Sequence, residues 1–270
     1  MNESPFYRGV RISTSQNPRD GVFSTIGWKG NEEMVLLDKH IDRIKRHCNK
    51  LLINYPEDIQ VKIMQEISLL SALDLPLEGL DSSQPPFLLK IMLSASGEIS
   101  LDARKNIPHN GSMIATIAEA PRWDEAITGT KHADWREYNK ITKHAQDNGF
   151  DVALLIFEEA IVDADRGTPI MLDDDGTAWV PDGNQGGVDS ITLEYMIQIL
   201  EEQGIPLIKG RLTAKMILRA QELLVLGTGI GVAKLVEVDG TKIGVGGNTL
   251  YNLCNKHLTI LQNEQVMHNG

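Results

Sequence analysis

Two spacings of apolar residues alternate along the chain, and they divide it into recognisable elements. "GVFSTIGWKG" (21–30) has the short apolar run of a strand, the Gly30-Asn31 pair predicts a turn, and "MVLL" predicts a returning strand. In "LDKHIDRIKRHCNKLL" (37–52), Ile41, Ile44, Cys48 and Leu51 or Leu52 recur at helical spacing, with Asp38 as the predicted N-cap. A second amphipathic helix is predicted for "PEDIQVKIMQEISLLSAL", with Pro56 at its first position and acidic residues in its first turn. "PPFLLKIMLSAS" and "GSMIATIAEA" then read as strands. Together these predict an α+β unit with a small antiparallel sheet over residues 1–118. The next segment, "EAPRWDEAITGT", is weakly periodic and reads as a connector, placed at 119–128.

Over residues 129–270 the pattern changes to short strands with flanking helices. "WREYNKITKHAQDNG" is helical, with Gly149 as its stop. "DVALLIF", "AIVDA", "PIMLD" and "TAWVP" are strands separated by acidic turns. "SITLEYMIQILEEQG" is a helix closed by Gly204, "IPLIKGRL" a strand, "TAKMILRAQ" a short helix and "ELLVLGTG" a buried strand. "AKLVEVDGTKIG" carries the hairpin pair Asp239-Gly240, and "NTLYNLCNKHLTILQ" is a closing helix. The fold class is therefore α+β, in two domains.

Composition narrows the function classes. A chain of 270 residues with 41% hydrophobic and 23% charged residues can bury a full core, and no apolar run reaches the roughly 18 residues of a membrane span. The formal net charge of −11 disfavours non-specific nucleic-acid binding, which needs an excess of Lys and Arg, but leaves small anionic ligands open. Cys48 and Cys254 lie far apart without metal-ligand spacing and read as free thiols of a cytoplasmic protein. The start "MNESPFYRGV" lacks the pattern of a secretory signal. His40, His132 and His144 are not spaced as metal ligands, so no metal site is expected.

Two stretches carry candidate chemistry. Residues 223–232, "LLVLGTGIGV", are an apolar run that breaks into Gly227, Thr228, Gly229 and Gly231, a turn whose backbone N–H groups and hydroxyl suit an anion. "TGTKHADWREY" places Lys131 between the connector and a helix, and a pocketed lysine attacks aldehydes once its pKa is lowered. The alternatives are an ordinary hairpin turn and a solvated surface lysine.

The order of blocks resembles the class IV (fold type IV) pyridoxal-phosphate enzymes, which include branched-chain and D-amino-acid aminotransferases and aminodeoxychorismate lyase. "DGVFSTI" is similar to the family's Gly-x-Phe-Glu-Thr-Ile segment and "HIDRI" to its His-x-x-Arg-Leu block. Lys131 with Ala145 and Gly149, "IVDADRGTPIML", "GGVDS" and "LGTGIGVAKLVEVDGTKIG" match its later blocks. The resemblance implies a small N-terminal α/β domain and a larger, β-barrel-like C-terminal domain with flanking helices. It also implies pyridoxal 5'-phosphate as cofactor, amino-acid and 2-oxo-acid substrates, and a homodimer.

By the same resemblance, Lys131 is the Schiff-base lysine and proton carrier, and Asp163 is the acid beside the pyridine nitrogen, with Asp165 as its neighbour and competitor. Arg43, the Val188 and Asp189 amides, Gly227 and Thr228 hold the phosphate. Four positions depart from the family pattern. Asp163 stands for Glu, Asp189 for Thr and Thr168 for Asn; Arg136 lies where some members have a tyrosine, with Tyr138 two residues away. Ser94, Ala95 and Ser96 occupy a stretch without an evident carboxylate-binding arginine. The implied activity is an aminotransferase; the alternatives are aminodeoxychorismate lyase and a non-catalytic relative.

Overall fold

The computed structural model describes residues 15–30, 33–71, 87–106, 111–244 and 247–264. Asn31 of the predicted turn and the segment "MNESPFYRGV" lie outside the described residues. The chain forms two compact units: Met1–Pro108 with Thr130–Trp135 and Thr259–Gly270, and His109–Gly129 with Arg136–Leu258.

In the first unit, β1 (Gly21–Trp28), β2 (Phe87–Ser94) and β3 (Ile99–Lys105) form a three-stranded antiparallel sheet in that order. The period of two sorts its side chains. Val22, Ser24 and Ile26 share one face with Leu89, Ile91 and Leu93, all buried, and α1 (Leu37–Leu51) packs on it. Phe23, Lys90, Met92 and Asp102 share the other. Helix α2 (Ile59–Ser71) packs beside β3. Residues 131–133 run antiparallel to the start of β1: Phe23 N–H donates to Lys131 O (2.8 Å), Ala133 N–H donates to Gly21 O (2.9 Å), and Val22 pairs with His132.

Several local expectations change. Only Met34 of the predicted return strand pairs with Trp28, because Leu36 turns left-handed (φ 57°) and starts α1 at Leu37. Leu36, not Asp38, is therefore the N-cap; Asp38 is the second helical residue, where its carboxylate meets the positive helix end. Helix α2 begins at Ile59, after a turn through Pro56, rather than at the proline. β3 is an additional strand that the apolar pattern does not mark.

The second unit is built on a ten-stranded sheet. Its strands are β4 (Ser112–Glu119), β5 (Val152–Phe157), β6 (Ala160–Ala164), β7 (Thr168–Leu172), β8 (Ala178–Pro181), β9 (Leu207–Gly210), β10 (Leu212–Thr213), β11 (Glu222–Gly227), β12 (Gly231–Val238) and β13 (Thr241–Lys242). The order is β10-β6-β5-β4-β12-β11-β7-β8-β9, with β13 on β12. β9 and β10 stand at opposite ends of this order yet are joined by Arg211 alone, which brings the two edges of the sheet together in a barrel-like arrangement. The predicted single strand 205–212 is thus two strands broken at Arg211. β4, read with the first half of the sequence, lies parallel to β12 and β5 in this sheet.

The barrel core holds Val152, Leu154, Ile161, Ala164, Leu223, Val225 and Leu235, among others. Helices α3 (Arg136–Asp147), α4 (Ile191–Glu202), α5 (Ala214–Ile217) and α6 (Thr249–Glu264) accompany the strands. Gly149 (φ 82°) follows α3 as predicted. Buried Glu222 on β11 accepts hydrogen bonds from the Leu250 and Tyr251 amides (2.8 and 2.9 Å), filling the open first turn of α6.

Candidate active site

In the first unit, the buried face of α1 combines an apolar stripe with three ionisable residues, His40, Arg43 and His47. Arg43 is only 4% exposed, an arrangement that requires partners. Its Nη2 donates to Ser24 Oγ at 2.6 Å, and Ser24 Oγ lies 2.7 Å from His40 Nδ1. Burial first, then the charges of Arg43 and Lys131, push His40 well below its usual range. The imidazole is therefore neutral, and its Nδ1 suits the Ser24 hydroxyl proton.

His47, one helical turn further, accepts a hydrogen bond at Nδ1 from the Lys131 amide (3.0 Å). Position 131 is thereby fixed on both sides, its carbonyl by Phe23 N–H and its amide by His47. The Lys131 Nζ lies 5.1 Å from the Phe23 ring centroid and 4.8 Å from the Trp135 ring. Those rings meet edge to face, with centroids 5.1 Å apart. A half-buried amine thus sits against two aromatic faces, a setting unlike that of a solvated surface lysine.

The second unit supplies an acid. β6 pairs with β5 through a bulge: Leu155 faces Asp163 and Ile156 faces Ile161, leaving Val162 as the extra residue. The bulge lets Ile161 and Ala164 share the barrel core and turns Asp163 away from it. Asp163 is 5% exposed, and both its oxygens are acceptors. Oδ1 takes the Ala164 N–H (3.0 Å) and the Thr168 hydroxyl (3.4 Å), and Oδ2 takes the Val188 N–H (3.0 Å).

Glycine makes that last bond possible. A Cβ on Gly187 would fall 2.2 Å from Val162 O, so only glycine lets segment 186–188 lie against the bulge. Asp165 points elsewhere: Oδ1 accepts from Ala153 N (3.1 Å), Oδ2 faces Arg166 Nε at 3.8 Å, and burial pushes the carboxyl up.

Tyr138 is buried and stacked on Trp123 (centroids 6.0 Å apart, 13° between planes). Burial, reinforced by the negative charge of Asp163, raises its phenol far enough to keep it protonated as a donor. The sequence left this residue without a role; burial inside an otherwise polar helix is the signal that marks it.

The remaining predicted residues are placed as follows. Gly227 ends β11, packed so closely on Arg166 O that a Cβ would stand 2.6 Å away, and it faces Gly231 across a hairpin. Thr228 opens this half-buried turn, and its hydroxyl makes no hydrogen bond among the described residues. Asp189 is exposed. Ser190, not Asp189, caps α4, its Oγ accepting from Leu193 N at 3.2 Å. The Val188 amide, which the resemblance directs at phosphate, is directed at Asp163 instead. Among the described residues no His, Cys, Asp and Glu cluster could hold a metal, and no helix is long and apolar enough to cross a membrane.

Comparison with known proteins follows the same lines. The chain is 24% identical over 244 residues to a candidate branched-chain-amino-acid aminotransferase of Methanocaldococcus jannaschii, covering 83% of this chain and 80% of the relative. Its fold matches the branched-chain aminotransferase of Thermoproteus uzoniensis, solved with norvaline, with a TM-score of 0.77 at 17% identity, over 95% of this chain and 90% of that one. It also matches a candidate 4-amino-4-deoxychorismate lyase from Legionella pneumophila, with a TM-score of 0.75 at 15% identity, over 91% of both chains. The fold is thus that of the fold type IV aminotransferases. Residues 21–238 match the family model for amino-transferase class IV, and the chain belongs to that family.

Proposed function

We propose that this chain is a pyridoxal-phosphate-dependent aminotransferase that moves an amino group between an amino acid, of branched-chain or D-amino-acid type, and a 2-oxo acid. The family match over residues 21–238 carries the reading. Each unit holds groups of the kinds the cofactor takes: in the first, a half-buried amine on aromatic faces and a buried guanidinium, and in the second, a buried carboxylate and a glycine turn with a threonine hydroxyl. When bound, pyridoxal phosphate supplies an aldehyde and an electron-withdrawing ring that acidifies the substrate Cα–H.

Lys131 Nζ is the residue for the covalent link and, once displaced by the incoming amine, for carrying the proton taken from Cα. His47 and Phe23 hold the Lys131 backbone still while its side chain changes partners. Asp163 would be the acid for the ring nitrogen, and Tyr138 is a protonated donor in the same unit. Arg43, Gly227, Thr228 and the amides at Val188 and Asp189 are assigned to the phosphate. Of these, the Val188 amide is the weakest assignment, since the acid competes for it.

The second reading, 4-amino-4-deoxychorismate lyase, is favoured by the TM-score of 0.75 to the Legionella pneumophila protein. One experiment separates the two. With added cofactor, an absorbance band near about 410–430 nm that an amino acid bleaches, and a 2-oxo acid restores, marks an aminotransferase. Release of pyruvate from aminodeoxychorismate without any 2-oxo acid marks the lyase, and a colourless protein refutes both. We further assign a homodimer, for which light scattering should return twice the 29.9 kDa chain mass, and a cytoplasmic location, supported by two free buried cysteines.

A further inference from the structure

Ser24, His40 and Arg43 form a buried chain of polar side chains inside the first unit. His40 and Arg43 stand three residues apart on α1, and Ser24 on β1 meets both. A guanidinium only donates, so the Ser24 oxygen is the acceptor for Arg43 Nη2. The hydroxyl proton then needs an acceptor of its own, and among the described residues that acceptor is His40 Nδ1. Burial, with the charges of Arg43 and Lys131 in addition, keeps the imidazole neutral, so Nδ1 retains its lone pair. A proton on Nδ1 would direct two donors at one oxygen and leave the Ser24 proton buried without an acceptor. The chain therefore runs one way, from Arg43 through Ser24 to His40.

We infer that His40, acting through Ser24, is the positioning residue that sets the Arg43 guanidinium for the cofactor phosphate. The inference rests on the assignment of Arg43 to that phosphate. An arginine stem has several rotatable bonds, and holding its planar fork in one setting beforehand removes an ordering cost that anion binding would otherwise meet. A lone serine would do this poorly, because its hydroxyl rotates. The imidazole fixes that rotation by taking the proton, which turns the oxygen lone pairs to Arg43. A hydroxyl is also a neutral partner, so the contact fixes the fork while leaving its charge for an anion.

The test uses cofactor-free wild type, His40→Leu, His40→Asn, Ser24→Ala and Arg43→Met, titrated calorimetrically with pyridoxal 5'-phosphate and with pyridoxal, which lacks the phosphate. His40→Leu and Ser24→Ala should each weaken pyridoxal phosphate roughly 3- to 30-fold and pyridoxal less than about 2-fold. His40→Asn, whose Oδ1 can stand in for Nδ1 as acceptor, should recover most of the loss. In an Arg43→Met background His40→Leu should cost less than about 2-fold more, because the two act as one unit. Nitrogen-15 NMR of the wild type at pH 7 gives a reading that needs no cofactor: His40 should be neutral with its proton on Nε2. An Nδ1–H tautomer or a charged imidazolium overturns the inference. So does pyridoxal phosphate binding unchanged in His40→Leu, an equal loss with pyridoxal, or no recovery in His40→Asn. Pyridoxal phosphate binding unchanged in Arg43→Met refutes the phosphate assignment of Arg43, and the inference with it. No binding by wild type refutes the aminotransferase assignment, and the inference falls with it, whatever the tautomer.

Discussion

Replacing Asp163 by Asn removes a charge while preserving shape, and the hydrogen bonds around Asp163 set its cost. Each carboxylate oxygen accepts from a backbone N–H at 3.0 Å, Ala164 on one side and Val188 on the other. An asparagine amide has one acceptor oxygen, so in either rotamer its NH2 group confronts one of those N–H donors. Turning the NH2 toward Thr168 gives that hydroxyl a donor but opposes Ala164. One buried N–H is left unsatisfied, costing about 1–3 kcal/mol, or a fall of about 2–12 °C in Tm for a unit of this size. Asp163→Glu keeps both acceptors but inserts a methylene into a buried pocket, at about 1–3 kcal/mol. Gly187→Ala, which pushes segment 186–188 off Val162 O, should remove the same Val188 bond and so be less than additive with Asp163→Asn. The assay is thermal unfolding of the cofactor-free proteins by circular dichroism, which separates folding from chemistry. An Asp163→Asn protein that melts within about 1 °C of wild type would refute the two-acceptor account.

Two other predictions concern stability. Burial, chiefly, holds His132 down at about 4 and His40 well below its usual range, so the unfolded chain binds protons near pH 6.5 while the folded chain does not. Stability is complete above about pH 7 and falls as pH drops from about 6.5 toward 4; denaturant titrations across that range should show the loss, and His132→Gln should flatten it. Glu222→Ala strips two amides at the start of α6 of their acceptor and should cost about 2–4 kcal/mol by urea unfolding, with Glu222→Gln, which retains one acceptor, losing about half as much.

Most of this architecture is legible in the sequence because apolar spacing is dictated by burial on one face. β1, β2 and β4 to β8 lie where the runs of Val, Ile, Leu and Met place them, and α1, α3, α4 and α6 follow their stripes. β3 escaped because "ISLDARK" buries only Leu101 and Ala103, leaving charged residues that read as a loop. The break at Arg211 escaped because β9 pairs with β8 and β10 with β6, partners that lie far from it in sequence. Asp38 is a good capping residue by type, but the chain's path into α1 gave the cap to Leu36.

At the candidate site, the order of motifs points to Lys131, Asp163 and Thr228 as the residues to assign. Their surroundings are not legible in it: Ser24 and His47 are polar residues on apolar faces, partners only because α1 packs on β1 and residues 131–133 run beside it. The bulge at Val162, which aims Asp163, has no signature in "AIVDADRG" beyond the presence of an acid.

The central claim is covalent attachment of the cofactor aldehyde to one amine, and borohydride reduction followed by peptide mapping tests it most directly. Cofactor-loaded protein, reduced and digested, should carry the pyridoxyl group on the peptide containing Lys131 and nowhere else, and Lys131→Ala should carry none. Pyridoxyl on Lys90 or another lysine, or none on the wild-type chain, would contradict the account.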